Sequence, residues 1–282
     1  MTLDGAVGLD IQAITGALRT AAFGRALHVL HCVSSTNDVL QDLARRAAPE
    51  GTVVVAEEQT MGRGRLGRRW EAPPGACLLC SVLFRPRFAV DRANRLTMLV
   101  SLAMADAVTA VSGLRAALKW PNDLVVLASR SDDQSGRWRK LAGVLTESAI
   151  SAGQVDSVVV GVGVNVNVPV SGLPDLAPDA TSILAETGRQ VSREELLVSF
   201  LEEIERRYQT FGIGNEIKLE WIHRLATLGQ EIIVTTSSER LVGWADSVDD
   251  DGALLLRTSD GRVHRLMVGD VISAHGDISH LR

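Results

Sequence analysis

The stretch MGRGRLGRRW, Met61–Trp70, sets the terms for any fold this chain can take. It holds four arginines and three glycines, and it lies between the strand-like runs GTVVVAEEQ and ACLLCSVLF. A segment so charged cannot bury itself, so a sheet has to project it as a loop. Gly62, Gly64 and Gly67 remove Cβ atoms and open positive φ, which lets backbone N–H groups approach a ligand closely. Arg63, Arg65, Arg68 and Arg69 add forked donors suited to carboxylate and phosphate oxygens. Four such charges repel one another, so the loop is expected to be disordered until an anion arrives. A solvated flexible loop or an RGG-like nucleic-acid contact fits the stretch equally well when it is read alone.

The rest of the chain narrows the choice. With 34 acidic against 29 basic side chains the net charge is -5, which argues against a general nucleic-acid or membrane-surface protein. A length of 282 residues at 46% hydrophobic suits one large domain plus a small one, with a core that needs neither disulfides nor a structural metal. Cys32, Cys77 and Cys80 are too few and too odd for a disulfide framework. Cys77 and Cys80 form C-x-x-C, but residues three apart on a strand face opposite ways, so they read as core. The N-terminus lacks a signal-peptide pattern, and no stretch approaches the ~20 apolar residues of a membrane span. A cytoplasmic protein is expected.

Strand-like runs alternate with helical ones. LDIQAITGALRT suggests a short helix, ALHVLHCV a strand, and VLQDLARRAA a helix. NRLTMLVSLAMADAVTAVSG is apolar almost all round and reads as a buried helix ending near Gly113. LKWPNDLVV, KLAGVLTESAI and VDSVVVGVGVNVNV follow as three strands, the first two separated by a polar hairpin connection. SREELLVSFLEEIERRYQTFG carries a capping box, Ser192 with Glu195, and Gly212 as its stop. From about Gly229 the runs shorten, with Asp-Gly turns at 251–252 and 260–261, as in a small all-β barrel. The fold class is α/β (α+β), a mixed-sheet domain with a β-rich C-terminal appendage.

Four further pieces could carry chemistry. In KWPND, Pro121 interrupts a strand pattern and places Asn122 and Asp123 at a bend, where phosphate, metal or plain turn roles are open. In KLAGVLTES, Lys140 stands one residue ahead of an apolar strand. A lysine at a strand mouth can be only a solubilising edge charge. Yet Lys119, Lys140 and Lys218 are the only lysines, and lysine in place of arginine offers a compact charge that can sit between two anions. In GVGVNVN, Asn165 and Asn167 alternate on one face, where turn capping competes with ligand contact. In SSTND, one residue suffices as an N-cap, which leaves hydroxyls and an amide for a neutral polar group such as a urea.

In this order and spacing SSTND, AEEQTMGRGRLGRRW, KWPND, KLAGVLTE and GVGVNVN resemble the biotin protein ligase family, from about Leu27 to the C-terminus. The resemblance implies a class II synthetase-like catalytic domain over residues 27–228 and a small SH3-like β-barrel over 229–282, after a short N-terminal segment, 1–26. It implies an ATP-dependent ligase that makes biotinyl-5′-AMP and passes biotin to a lysine of a biotin carboxyl carrier protein or domain of acetyl-CoA or another acyl-CoA carboxylase. Lys140 and Arg68 would be catalytic. Ser35, Thr36, Asn37, Gln59, Gly62, Arg63, Gly64, Arg65, Lys140 and Gly143 would bind biotin. Arg63, Arg65, Arg68, Trp70, Asn122, Asp123 and Asn165 would bind ATP and the adenylate, with Mg²⁺ held mainly through phosphates. Some members add an N-terminal winged helix and repress transcription. Only some 25 residues precede the first matching strand here, so no DNA partner is expected, and no membrane either. The choice of monomer or homodimer stays open. A longer insert at 128–139 departs from the pattern. A lipoate or octanoate transferase, a non-catalytic sensor and a nucleic-acid module are the competing readings.

Overall fold

A computed structural model describes residues 8–86, 94–127, 138–151, 154–173, 176–177, 179–211 and 215–273. The first helix, α1 (Ile11–Ala17), starts at Asp10, whose side chain accepts from the N–H groups of Gln12 and Ala13. Strand β1 (Leu27–Val33) then leads into α2 (Thr36–Arg45) and β2 (Val53–Gln59), and the two strands pair in parallel. Every other pairing in the sheet is antiparallel. Its members are β3 (Cys77–Phe84), β4 (Ala117–Lys119), β5 (Asp123–Leu127), β6 (Trp138–Ser151) and β7 (Gln154–Asn165). The order across this seven-stranded mixed sheet is β1-β2-β3-β7-β6-β5-β4.

The central strands β2, β3 and β7 are buried on both faces, which is why they read as unbroken apolar runs. Cys77 and Cys80 fall on opposite faces of β3, in separate apolar clusters. Burial pushes both thiols up to about 12, so they pack as neutral groups. The LKWPNDLVV run is two strands rather than one. Pro121 offers no N–H to a ladder, and the chain reverses there, pairing Lys119 with Asp123. Lys140 is likewise the third residue of β6, already paired opposite Val125, rather than a residue ahead of the strand.

One helix corrects the expectation about membrane spans. Helix α3 (Asn94–Ser112) has 19 residues and a mean hydropathy of 1.3, long and apolar enough to cross a membrane by length and composition. It is a core helix here, 67% buried, packed on the sheet and on α5 (Arg193–Tyr208) and α6 (Glu216–His223). A short α4 (Ile183–Thr187) precedes α5. The capping box at α5 is half formed. Ser192 Oγ accepts from the Glu195 N–H at 3.1 Å, while its own hydroxyl goes to Glu194 rather than Glu195 reaching back. Gly212 and residues 128–137 of the insert at 128–139 lie outside the described residues, while Trp138 and Arg139 begin β6.

The C-terminal strands β8 (Glu231–Thr235), β9 (Arg240–Val248), β10 (Leu254–Thr258), β11 (Val263–Leu266) and β12 (Asp270–Ser273) form a second, antiparallel sheet ordered β11-β10-β9-β8-β12. Gly252 and Gly261 sit at φ +79° and +83°, as the two Asp-Gly turns require. Trp120 ties the sheets together. Its backbone N–H donates to Thr227 Oγ1 and its indole N–H to the Gly252 carbonyl, both at 2.9 Å.

Candidate active site

A cavity of about 490 Å³ opens where the end of β2, the bend between β4 and β5, the glycine-bearing stretches of β6 and β7, and the edge of the small sheet converge. Its floor is made of missing side chains. Gly143 on β6 faces Gly163 across the ladder, and Gly161 lies one pleat further along β7. The Trp70 ring rests on this floor. A Cβ at Gly163 would lie 2.5 Å from the ring and one at Gly143 3.2 Å from it, while one at Gly161 would lie 2.3 Å from Asn37 Oδ1.

One end of the cavity is a polar chamber at the start of α2. Ser35 occupies the N-cap position but makes no side-chain capping bond. Gln59, arriving from β2, serves instead: its Oε1 accepts from the Thr36 N–H at 2.8 Å and the Thr36 hydroxyl at 3.0 Å. The Ser35 hydroxyl is thereby released from capping, and Ser35 lines the cavity. Ser81 Oγ lies 2.7 Å from Thr36 Oγ1 and 2.6 Å from Asn37 Oδ1. Asn37 Nδ2 donates to Glu147 Oε2 at 2.6 Å. This chain of fixed amides and hydroxyls presents hydrogen-bonding groups without net charge at its Ser35–Asn37 end, which suits a neutral polar ligand group.

The arginine loop is a closed turn over this chamber. Gly64 N–H donates to the Arg68 carbonyl and Trp70 N–H to the Gly62 carbonyl, and Leu66 and Gly67 turn the tip at φ +56° and +74°. Gly62 stands outside the cavity wall, but a Cβ there would lie 2.4 Å from the Trp70 carbonyl oxygen, so the hairpin needs glycine. Two of its four arginines are held by separate carboxylates. Arg63 grips Asp38 through both terminal nitrogens, at 2.8 and 2.7 Å, and touches Glu147 at 3.2 Å. The hydrogen bond from Arg63 holds Asp38 below the usual carboxylate range, and the same contact strengthens the hold of Arg63 on its proton. Arg68 pairs with Asp270 of the small sheet, and Arg69 donates to the Thr60 carbonyl. Arg65 lines the cavity, and burial lowers its proton affinity, against the opposing pull of Asp123 and Asp270.

Lys140 stands at the junction of chamber and loop. Its backbone is held on both sides, N–H to Asp179 and carbonyl to Thr181, so the side chain projects from a fixed base. Its ammonium lies 2.8 Å from Asp123 Oδ1 and 5.6 Å from the Trp70 ring centre. The contact with Asp123 is an ion pair and not an aligned hydrogen bond, so that oxygen has room for a better donor. The buried indole N–H of Trp70 has no acceptor among the described residues. The two asparagines are partly committed: Asn122 Nδ2 donates to the Val144 carbonyl at 2.6 Å and Asn165 Nδ2 to the Thr181 carbonyl at 2.9 Å. Asn167 bridges to the backbone of Val191 in both directions, a purely structural role.

Of the expected site residues all but Gly62 line this one cavity. Asp38, Ser81, Glu147, Gly161, Gly163 and Asp270 were not expected. The alternating glycines of GVGVN on a single face of β7 were a signal for the floor. Nothing in the sequence pointed to carboxylates 25 and 84 residues from Arg63.

The chain is similar to known proteins in sequence and in fold. Residues 29–165 match the biotin/lipoate A/B protein ligase family, and residues 227–272 match the biotin protein ligase C terminal domain. The chain is 34% identical over 282 residues to the biotin–[acetyl-CoA-carboxylase] ligase of Mycobacterium tuberculosis, covering 97% of this chain and 96% of that one. It is also 34% identical to the bifunctional ligase/repressor BirA of Bacillus spizizenii, over 90% of this chain and 76% of that one. Among solved structures, the biotin protein ligase of Aquifex aeolicus in complex with biotin and ATP superposes with a TM-score of 0.69 at 28% identity, covering 88% of this chain and 98% of that one.

Proposed function

Because the chain belongs to the biotin protein ligase family, we propose that it joins biotin to ATP as biotinyl-5′-AMP and then hands biotin to a lysine of a biotin carboxyl carrier domain. The observation that carries this reading is Lys140, fixed by its backbone between a chamber of neutral hydrogen-bonding groups and a loop of four arginines.

In the first step an oxygen of the biotin carboxylate attacks the α-phosphorus, and pyrophosphate leaves with the electron pair of the broken P–O bond. Carboxylate and triphosphate repel, and the Lys140 ammonium can neutralise both at the point of contact. The Ser35–Asn37 and Gln59 chamber holds the uncharged ureido ring, the Trp70 indole, backed by the glycine floor, packs its free face on the bicyclic ring system, and Arg65 and Arg68 face the phosphates. In the second step the carrier lysine amine attacks the acyl carbon, AMP leaves, and the amine gives up a proton. Asp123 is the carboxylate beside Lys140 and can take it. The arginine loop lies over the anhydride and shields it from water between the steps.

Magnesium belongs to this reading. Asp123, lining the cavity beside Lys140, offers a carboxylate oxygen, a donor that fits an ion held chiefly by phosphate oxygens. The ion adds charge neutralisation on the phosphates. A carboxylase carrier domain is the partner, and we assign no DNA or membrane partner. Three free thiols accord with a cytoplasmic location.

The test is biotin-dependent exchange of pyrophosphate into ATP, by the wild type and by Lys140→Ala. Exchange with biotin but not lipoate, slowed by orders of magnitude in the variant, is the expected result. A wild type that binds biotin and exchanges nothing would be a sensor, and the ligase reading would fall.

A further inference from the structure

Glu147 is the last residue of the KLAGVLTE run, on β6, and it lies on the seam between the polar chamber and the arginine loop. A single oxygen of its carboxylate, Oε2, receives three donors from three places. Asn37 Nδ2 reaches it from the chamber at 2.6 Å, Gln41 Nε2 from the next turn of α2 at 3.1 Å, and Arg63 Nη2 from the loop at 3.2 Å. The other oxygen meets Arg63 Nη2 at 3.3 Å.

The orientation of Asn37 follows from this. Its Oδ1 faces Ser81 and its Nδ2 faces Glu147, so the amide is fixed and keeps one N–H for a ligand. The amide sits in the space a side chain at Gly161 would fill, since a Cβ there would lie 2.3 Å from Asn37 Oδ1. Arg63 is fixed from two sides as well, by the Asp38 fork and by Glu147. Asp38 rides on α2 beside Asn37, so the helix carrying the chamber also carries the loop's second anchor. Glu147, on the sheet, is the point where both are referred to one rigid element.

We propose that Glu147 is a positioning residue that couples the ring-binding chamber to the arginine loop, so that a correctly seated ring and a closed loop stabilise each other. This rests on the ligase reading. Glu147 carries no step of the chemistry. It sets the orientation of Asn37 toward the ring and of Arg63 over it, through one shared oxygen. Coupling of this kind is reciprocal: a group that helps the loop close over the ring also tightens the ring's hold when the loop is closed.

Glu147→Gln tests it, because the amide keeps an oxygen for Asn37 but turns an N–H toward Arg63. Expected are a rise of about tenfold in KM for biotin and an equal fall in the lifetime of purified, enzyme-bound adenylate, with kcat of pyrophosphate exchange within threefold of wild type. Asn37→Ala combined with Glu147→Gln is expected to lose clearly less than the product of the two single losses, since the two share one contact. Gln41→Ala removes a neighbour of the same oxygen without touching chamber or loop, and is expected to stay within threefold of wild type in both measurements. Additive losses in the double variant, a fall in kcat with KM unchanged, or a Gln41→Ala effect as large as that of Glu147→Gln would each overturn the coupling. If wild type shows no exchange, the ligase reading fails and the coupling with it. If wild type exchanges and Glu147→Gln matches it, the coupling alone fails.

Discussion

Lys140 and Asp123 form an ion pair at 2.8 Å inside the cavity, on neighbouring strands joined by a bulge in the ladder. Neither side chain is exposed, at 29% and 19%, so each charge depends on the other more than a surface pair does. This gives the two residues separable tasks. Asp123→Asn removes the carboxylate while leaving the shape and the lysine in place. Pyrophosphate exchange is expected to stay within tenfold of wild type, since Lys140 still meets the incoming anions and phosphate oxygens rather than Asp123 supply most of the magnesium ligands. Transfer from preformed adenylate to a carrier domain is expected to drop at least a hundredfold at neutral pH. Single-turnover assays of the two half-reactions would show the split, and equal losses in both would exclude Asp123 as the proton acceptor.

A methyl group on the floor is a sharper probe than any charge. Gly163→Ala places carbon 2.5 Å from the Trp70 ring, so the indole has to lift. Overpacking of this kind typically costs about 1–3 kcal/mol. The expected outcome is a melting temperature lowered by a few degrees and a KM for biotin raised at least tenfold. Gly67→Ala, at an open tip with nothing near its Cβ, is expected to leave KM within threefold even though its positive φ carries a backbone cost.

The Arg68–Asp270 contact bridges the loop to the small sheet, with side chains 66% and 37% exposed. Pairs this wet contribute at most about 1 kcal/mol. Asp270→Asn is expected to leave the urea midpoint almost unmoved. It also releases Arg68 from a competitor, so KM for ATP is expected to fall two- to fivefold in low salt, with the difference shrinking at high ionic strength. A KM that rises instead would make Asp270 part of the nucleotide site.

Acid should unfold the protein through carboxylates far from the cavity. Asp106 is partly buried, which opposes its charge, but hydrogen bonds from Arg224 and Arg207 outweigh burial and hold it below its usual range. Glu220 is held down by the same two arginines, Arg207 foremost. A carboxylate depressed in the folded state stabilises fully above its unfolded pKa and loses that contribution as pH falls through the folded one. Stability is therefore expected to be flat from about pH 7 to 5 and to fall steeply below about pH 4. Asp106→Asn should lower the plateau and flatten the acid limb, as read by urea denaturation at each pH.

Much of this was readable in the residues. Valine runs, the all-round apolar helix and the Asp-Gly turns located the elements, because each reports a local preference that tertiary contacts did not override. The cavity's main side chains were readable too, since loops that cannot be buried and polar groups next to core strands have few other uses. What escaped was long-range satisfaction. Gln59 capping α2 in place of Ser35, and Glu147 and Asp38 receiving Arg63, depend on which strands lie side by side. The KWPND run escaped for a different reason: a proline bend inside a strand-like pattern looks like an interruption until the two halves are seen to pair.

The glycine floor also bears on how this site can change. Gly143, Gly161 and Gly163 are already the smallest residues available, so the pocket cannot be deepened from below by any substitution. A lineage drifting toward a bulkier ring would have to carve space out of Trp70 or Asn37, which lie directly on those glycines, and each of those is anchored to other parts of the site. The route to a broader diet passes through residues the enzyme uses, while the route to a narrower one needs only a single added methyl group.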